Sequence, residues 1–422
     1  MTMNFAMTTR IREWSRLGTV AVTSALLVAC GGGGSTTPPP TSTPTPPPTV
    51  SGDDARRAVL ADIGEQIILP ALRTFDTDAA ALVVAATDYS AAPADAGARD
   101  AARAAWNTAM DSWQRNEVLQ VGPAGRSTNP DAVAGGQDFR ELIYSWPFTL
   151  DVCALEAAAF DGDAVNGATA INIVGLGALE HLLFTDAPPP ACTAQPDAAA
   201  RAAHVLRLAE RVAVLATSLT QRWEPNGGNF IEQWSTAGLS SSVTYAAPQD
   251  ALDALSIALF YGEKVTKDRK IAQPTGLPAT GLTCTQPIAC PEFLESRIAN
   301  RSGDNLAINV QAFRDVFTGV NGGMGVNDLL TGIDREDLAD QIVLELDATL
   351  TQLDSIANAQ GFDAAVEGIT DRDECVNAFS NSEGLPPCAL LGVIKSAMDT
   401  FRGPIVASLS LAVPQSAAGD ND

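Results

Sequence analysis

The sequence predicts an all-α protein made of two packed helical halves, each of the four-helix-bundle type. Two observations carry this. Hydrophobic residues make up 46% of the 422 positions but aromatics only 6%, so the apolar content is mostly small and aliphatic, which suits closely packed helices better than sheets. Apolar residues also recur at three- and four-residue steps through long segments, the spacing that lines one face of a helix. These segments fall into two sets on either side of a Ser-rich stretch, Ala237 to Thr244, the candidate seam. No sequence repeat relates the two sets.

The N-terminus reads as an export signal. Arg10, Arg12 and Arg16 precede an apolar run, Leu17 to Ala29, and Leu27-Val28-Ala29-Cys30 resembles a bacterial lipobox. Residues 1–29 are therefore expected to be a lipoprotein signal peptide, too short for a membrane span, with Cys30 lipidated. Gly31 after the cysteine favours the outer membrane, facing the periplasm. Residues 30–52, rich in Gly, Thr and Pro, form a tether, since polyproline II geometry extends about 3.1 Å per residue.

The formal net charge is −24, or −26 once the three arginines and one glutamate of residues 1–29 are removed. Nucleic acid is excluded as a partner, because phosphate contacts need a basic face. The acidity favours solubility and attracts cations at a distance. Six cysteines remain after Cys30, and an even number in an exported chain reads as disulfides. Three sequential pairs are the simplest of fifteen arrangements, Cys153–Cys192, Cys284–Cys290 and Cys375–Cys388, with a zinc site as the alternative.

Residues 53–236 form the expected N-terminal bundle. Asp53 to Tyr89 is helical, with Val59, Ile63, Ile67 and Leu72 in register and Pro70 as a kink. Asp95 to Leu119 is the second helix, its stripe of Trp106, Met110 and Trp113 running on to Glu117, and Gly122-Pro123 stops it. Glu117 is either a carboxylate on an aromatic stripe or a salt-bridged residue at a helix end. The block Phe139-Arg140-Glu141-Leu142-Ile143-Tyr144-Ser145-Trp146-Pro147 offers a fixed cation and large amphipathic rings, to line a pocket or to lock the loop onto the bundle.

Asn172 to Phe184 is a core-facing helix, with Ile173, Leu176, Leu179 and Leu183 on one face. Glu180 projects among apolar and glycine positions, and a buried carboxylate must find a cation, a hydrogen-bond set or a metal, or stay protonated. Arg140 is a candidate partner. Ala194 to Trp223 is a long helix holding His204, read as a surface or capping residue with a ligand role as the alternative.

Residues 245–413 form the expected C-terminal bundle, and 414–422 a tail. The helix from Pro248 ends in a basic cluster, Lys264 to Lys270, explained by complementarity with the helix dipole or by an anion site. Glu295 and Arg297 form an internal pair or face the cleft between halves. Gly319 to Gly332 reads as a flexible glycine-rich link, Asp334 to Ala359 as a clean helix, and Leu390 to Leu411 as the last one.

The stretch G-L-G-A-L-E-H-L-L-F resembles the signature of the imelysin-like bacterial lipoproteins, G-x-H-x-x-E followed by an apolar pair. Gly175 and Glu180 match it; the family's His position is Gly177 here, and the neighbouring imidazole is His181. The Tyr144-Ser145-Trp146-Pro147 block and the Lys267-Asp268-Arg269-Lys270 segment are similar to further blocks of that family. The resemblance covers most of Asp53 to Val413. It implies two packed bundles with a site where they meet, an iron-linked envelope role, and a metallopeptidase label.

Zinc peptidase chemistry needs histidines at i and i+4 with a base, as in H-E-x-x-H. Glu180 and His181 are adjacent and point about 100° apart on a helix. The reading that follows is a binding lipoprotein taking iron, haem or a ferric chelate, with Glu180, Glu117, His181 and Arg140 near the site and hard oxygen ligands suiting ferric iron. The alternatives are a lipoprotein docking an envelope partner, with Glu180 paired to Arg140, and a peptidase.

Overall fold

The computed structural model describes residues 52–277, 284, 288–371, 375 and 385–417. The expected signal peptide, Cys30, the tether up to Ser51 and residues 418–422 lie outside the described residues. The described residues fall in one contact unit. Every regular element among the described residues is helical.

Helix α1 (Gly52–Asp62) continues through a π-helical turn, Ile63–Ile68, into α2 (Leu69–Ala91). Val59, Ile63, Ile67 and Leu72 are all buried, as their register requires. The helix is widened just before Pro70, the expected kink position. Leu69 N–H donates to Gly64 O, five residues back, and Pro70, which has no N–H to give, follows. Asp95 caps α3 (Ala96–Glu117) by accepting from Gly97 N–H at 2.8 Å, satisfying one of the donors that a helix start leaves free.

Helices α4 (Phe139–Ile143), α5 (Val152–Asp161) and α6 (Gly175–Phe184) precede the long α7 (Ala198–Trp223). α2 packs against α3 and α7, and α6 lies across both of those. The Cys153–Cys192 bridge ties the start of α5 to the loop beyond α6, and Cys284–Cys290 and Cys375–Cys388 complete the sequential pairing. In α8 (Phe230–Ser235), Trp234 Nε1 donates to Leu60 O at 2.7 Å. Gln233 holds the Ser-rich loop after it, accepting from Val243 N–H at 2.7 Å.

Helix α9 (Pro248–Leu259) leads into a π-helix, Gly262–Ala272, and a last turn, α10 (Gln273–Thr275). Here the structure departs from the expected helix end. Lys267 and Lys270 are 3% and 1% exposed. The helix does not stop at them, and carboxylates of the same segment lie alongside: Lys267 Nζ lies 3.2 Å from Glu263 and 3.0 Å from Asp268.

Helices α11 (Ser302–Thr318), α12 (Val326–Thr331), α13 (Glu336–Ala359), α14 (Phe362–Glu367) and α15 (Pro386–Thr400) follow, then a π-helical turn, Phe401–Ile405, and α16 (Val406–Leu409). α11 packs on α3 and α13, and α13 on α15. The Gly319 to Gly332 stretch is closely fitted, not a loose link. It contains α12, its Met324 N–H donates to Asp62 Oδ2 at 2.7 Å, and a Cβ on Gly325 would fall 2.3 Å from Phe317 O. Its glycines serve close backbone approach. Buried apolar residues form one continuous core from Val59 to Ala417.

Candidate functional site

Helix α6 starts on Gly175, whose φ of +79° and close approach to Ile143 demand glycine: an added Cβ would lie 2.3 Å from the Ile143 carbonyl oxygen. At Gly177 the same atom would meet only the edge of Tyr144, 3.8 Å from Cε2. The far end of the helix is held by guanidiniums. Arg99 Nε and Arg103 Nε donate to Leu183 O at 3.0 and 2.8 Å, and Arg201 Nη1 donates to Thr185 O at 2.8 Å. Cations there complement both the dipole and the unpaired carbonyls.

Glu180 points from α6 at the segment before α11, where its Oε1 accepts from Ala299 N–H at 3.1 Å. Burial pushes its carboxyl up to about 8; the Ala299 and Ile298 amides pull down, and Glu295 and Asp363 push up further. At neutral pH it is therefore mostly protonated. His181 faces another way, its Nε2 at 2.8 Å from Glu156 Oε1, and Arg201 Nη2 lies 3.3 Å from the same oxygen.

The expected pairing of Glu180 with Arg140 is not the one formed. Arg140 Nε and Nη2 donate to Glu117 Oε2 at 3.1 and 2.8 Å, and Trp113 Nε1 donates to Oε1 at 2.5 Å. Glu117 is fully buried, because the stripe from Trp106 to Trp113 carries it inward, and α4 lays Arg140 over the end of α3. Burial works against the Arg140 charge, and Glu117, Tyr261 and Glu141 together more than offset it.

Glu295 likewise does not pair with Arg297, which reaches Glu367 at 2.8 Å. Lys270 Nζ lies 2.7 Å from Glu295 Oε2 and donates to Gln114 Oε1 at 2.9 Å and to Asn309 Oδ1 at 2.7 Å. Its three protons are thus spoken for, and the Trp146 and Tyr261 rings stand 5.5 and 5.4 Å away. Gln114 Nε2 closes the set by donating to Glu295 Oε1 at 3.0 Å. Tyr144 is buried near all three glutamates: burial first, then the charges of Glu295, Glu180 and Glu117, keep its hydroxyl neutral.

The four residues singled out from the sequence therefore occupy three settings. Glu117 and Arg140 are partners, His181 belongs with Glu156 and Arg201, and Glu180 lies against the Ala299 backbone. Lys270, from the family-like basic segment, and Asn309 join the site, and Gln114 joins it unannounced by any motif. Gln114 had one usable signal, its place three residues before Glu117 on the same helix face. His204, expected at the surface, is 1% exposed, with Nδ1 3.0 Å from Arg207 Nη2. Among the described residues, no three of His, Cys, Asp and Glu come together as a metal-ligand group.

Beside this buried set a cleft of about 600 Å³ opens between the segment from Gln120 to Phe148 and the elements α9 and Gly262–Ala272, with Arg140 on its wall. The imelysin family model matches residues 68–381, most of the chain. The chain belongs to the imelysin family. A protein from Parabacteroides distasonis ATCC 8503, named as an iron-regulated protein A precursor, shares this imelysin's fold at a TM-score of 0.61 with 18% identity, over 83% of this chain and 95% of its own. An imelysin-like protein from Psychrobacter arcticum 273-4 shares it at 0.63 with 14% identity, over 86% and 97%. At these identities the likeness is one of fold. No curated protein matches the chain.

Proposed function

We propose that this imelysin captures iron as a preformed ferric complex, held in the cleft beside Arg140, and that it does so as a lipoprotein anchored to the outer membrane through Cys30. The observation that supports capture of a complex over the bare ion is the occupancy of the candidate ligands. Glu117 is engaged by Arg140 and Trp113, His181 by Glu156, and Glu180 is protonated near neutral pH. A protonated or ion-paired carboxyl is a poor ligand for a hard cation. A complex that brings its own oxygen ligands needs only a shaped, charged cleft.

The iron link rests on the name of the Parabacteroides relative and on the family's iron-linked envelope role. The anchor rests on the lipobox of Leu27 to Cys30 and the spacer after it. Haem fits less well than a chelate, because the chain's two histidines are both buried and hydrogen-bonded, so neither presents an axial nitrogen. Calorimetric titration of the purified protein with ferric citrate, haem and zinc tests the reading. Ferric citrate is expected to bind and zinc is not. Failure of every ferric complex to bind would leave docking to an envelope partner as the role.

A further inference from the structure

The cleft gathers four cations against three carboxylates in a chain that is strongly anionic overall. Arg126, Arg140, Lys264 and Arg269 line it against Asp131, Glu141 and Asp268. Most of these charges are already matched. Arg126 Nε donates to Glu141 Oε1 at 3.2 Å, Arg140 belongs to Glu117, and Lys264 lies 3.9 Å from Asp268. Asp131 accepts from Ser416 N–H at 3.2 Å.

Arg269 is left over. It is half-buried, and among the described residues its guanidinium has no hydrogen bond and no ion pair; burial works against its charge first, the nearby Asp268 carboxylate supports it, and Arg140 opposes it. The π-helix accounts for its placement. With i→i+5 bonding, residues four and five apart line up, so Lys264 and Arg269 both look into the cleft while Lys270 turns to the interior. An ordinary helix through the same residues would not hold these two in line. Ile257, Phe260 and Val265 supply an apolar floor, and Phe148, 50% exposed, stands at the edge.

We propose that Arg269 is the recognition group of an oxyanion site in this cleft, taking a small carboxylate- or phosphate-bearing ligand in the bidentate manner that a guanidinium fork favours. Lys264 supplies supporting positive charge from the wall, and the apolar floor accepts the body of the ligand. The proposal rests on the reading of the cleft as the binding site and names the chemistry it selects: the anion, not the metal, is what the protein touches.

The test is calorimetric titration of the purified protein with metal-free citrate and with inorganic phosphate, each at low and at raised salt, beside R269Q and R269K. At least one oxyanion is expected to bind, more weakly as salt rises. R269Q should lose about tenfold or more in affinity, as expected for removing hydrogen bonds to a charged group, with its thermal unfolding unchanged. R269K should fall between, since it restores charge without the fork. Citrate bound in preference to phosphate identifies a carboxylate ligand, and the reverse a phosphate. Absence of binding by both anions, or equal affinity in R269Q, overturns the site. Citrate binding that gains nothing from ferric ion upholds the anion site and counts against iron capture; ferric citrate binding unchanged in R269Q counts against the anion site alone.

Discussion

Arg140 places two nitrogens on a single oxygen of Glu117, at 3.1 and 2.8 Å, while the indole of Trp113 takes the other oxygen. The pair is shut away from water, with Glu117 fully buried and Arg140 6% exposed. Such a pair adds little beyond a well-packed apolar one, but removing one member leaves the other charge stranded. E117Q is therefore expected to destabilise the protein by about 3–5 kcal/mol, and the double variant E117Q/R140Q to recover part of that loss. Urea unfolding of the three proteins checks this. A single-variant cost below about 1 kcal/mol would mean that water reaches the pair.

Glu180 sets a pH dependence of definite sign. Its carboxyl rises from 4.5 to about 8 on folding, through burial. The folded protein keeps a proton that the unfolded chain releases, so the contribution is full below the unfolded value and is lost as pH climbs through about 8. Relative to E180Q, which retains the oxygen facing Ala299 N–H, the wild-type protein should lose stability across that window by at most about 1.4 kcal/mol per pH unit. Denaturant unfolding of both proteins on either side of neutrality decides it. A difference that does not change with pH would show the carboxyl ionised throughout.

The two glycines of the signature should respond in opposite ways. G175A forces a side chain onto a positive φ and into the Ile143 carbonyl, and is expected to cost about 2 kcal/mol or more. G177A meets only the Tyr144 ring edge at ordinary contact distance, and should stabilise the helix by up to about 1 kcal/mol. Thermal unfolding of both reads the contrast. Equal effects would mean that the first turn of α6 can relax.

The helices were legible because periodicity is a property of single segments: Val59 to Leu72 and Trp106 to Glu117 show their buried faces in the letters alone. The pairings were not. Arg140 was the natural partner for Glu180 because both sat in recognisable blocks, but Glu180 found backbone amides, which no letter encodes, and Arg140 found the end of α3. Lys270 stood out as part of a basic cluster, yet its direction depends on the i→i+5 register of Gly262–Ala272, which leaves no compositional trace. Gln114 and Asn309 are uncharged amides whose importance appears only when Lys270 arrives between them.

That meeting has a consequence for how the molecule is assembled. Gln114 and Asn309 are 195 positions apart, and each is hydrogen-bonded to the other as well as to Lys270. A chain emerging N-terminus first can complete the Glu117 to Arg140 pair early, but Gln114 then has only Met110 Sδ, on its own helix, until the far segment is delivered. A protease cut in the loop before α9 would yield two pieces, and each piece would carry buried polar groups that only the other can satisfy.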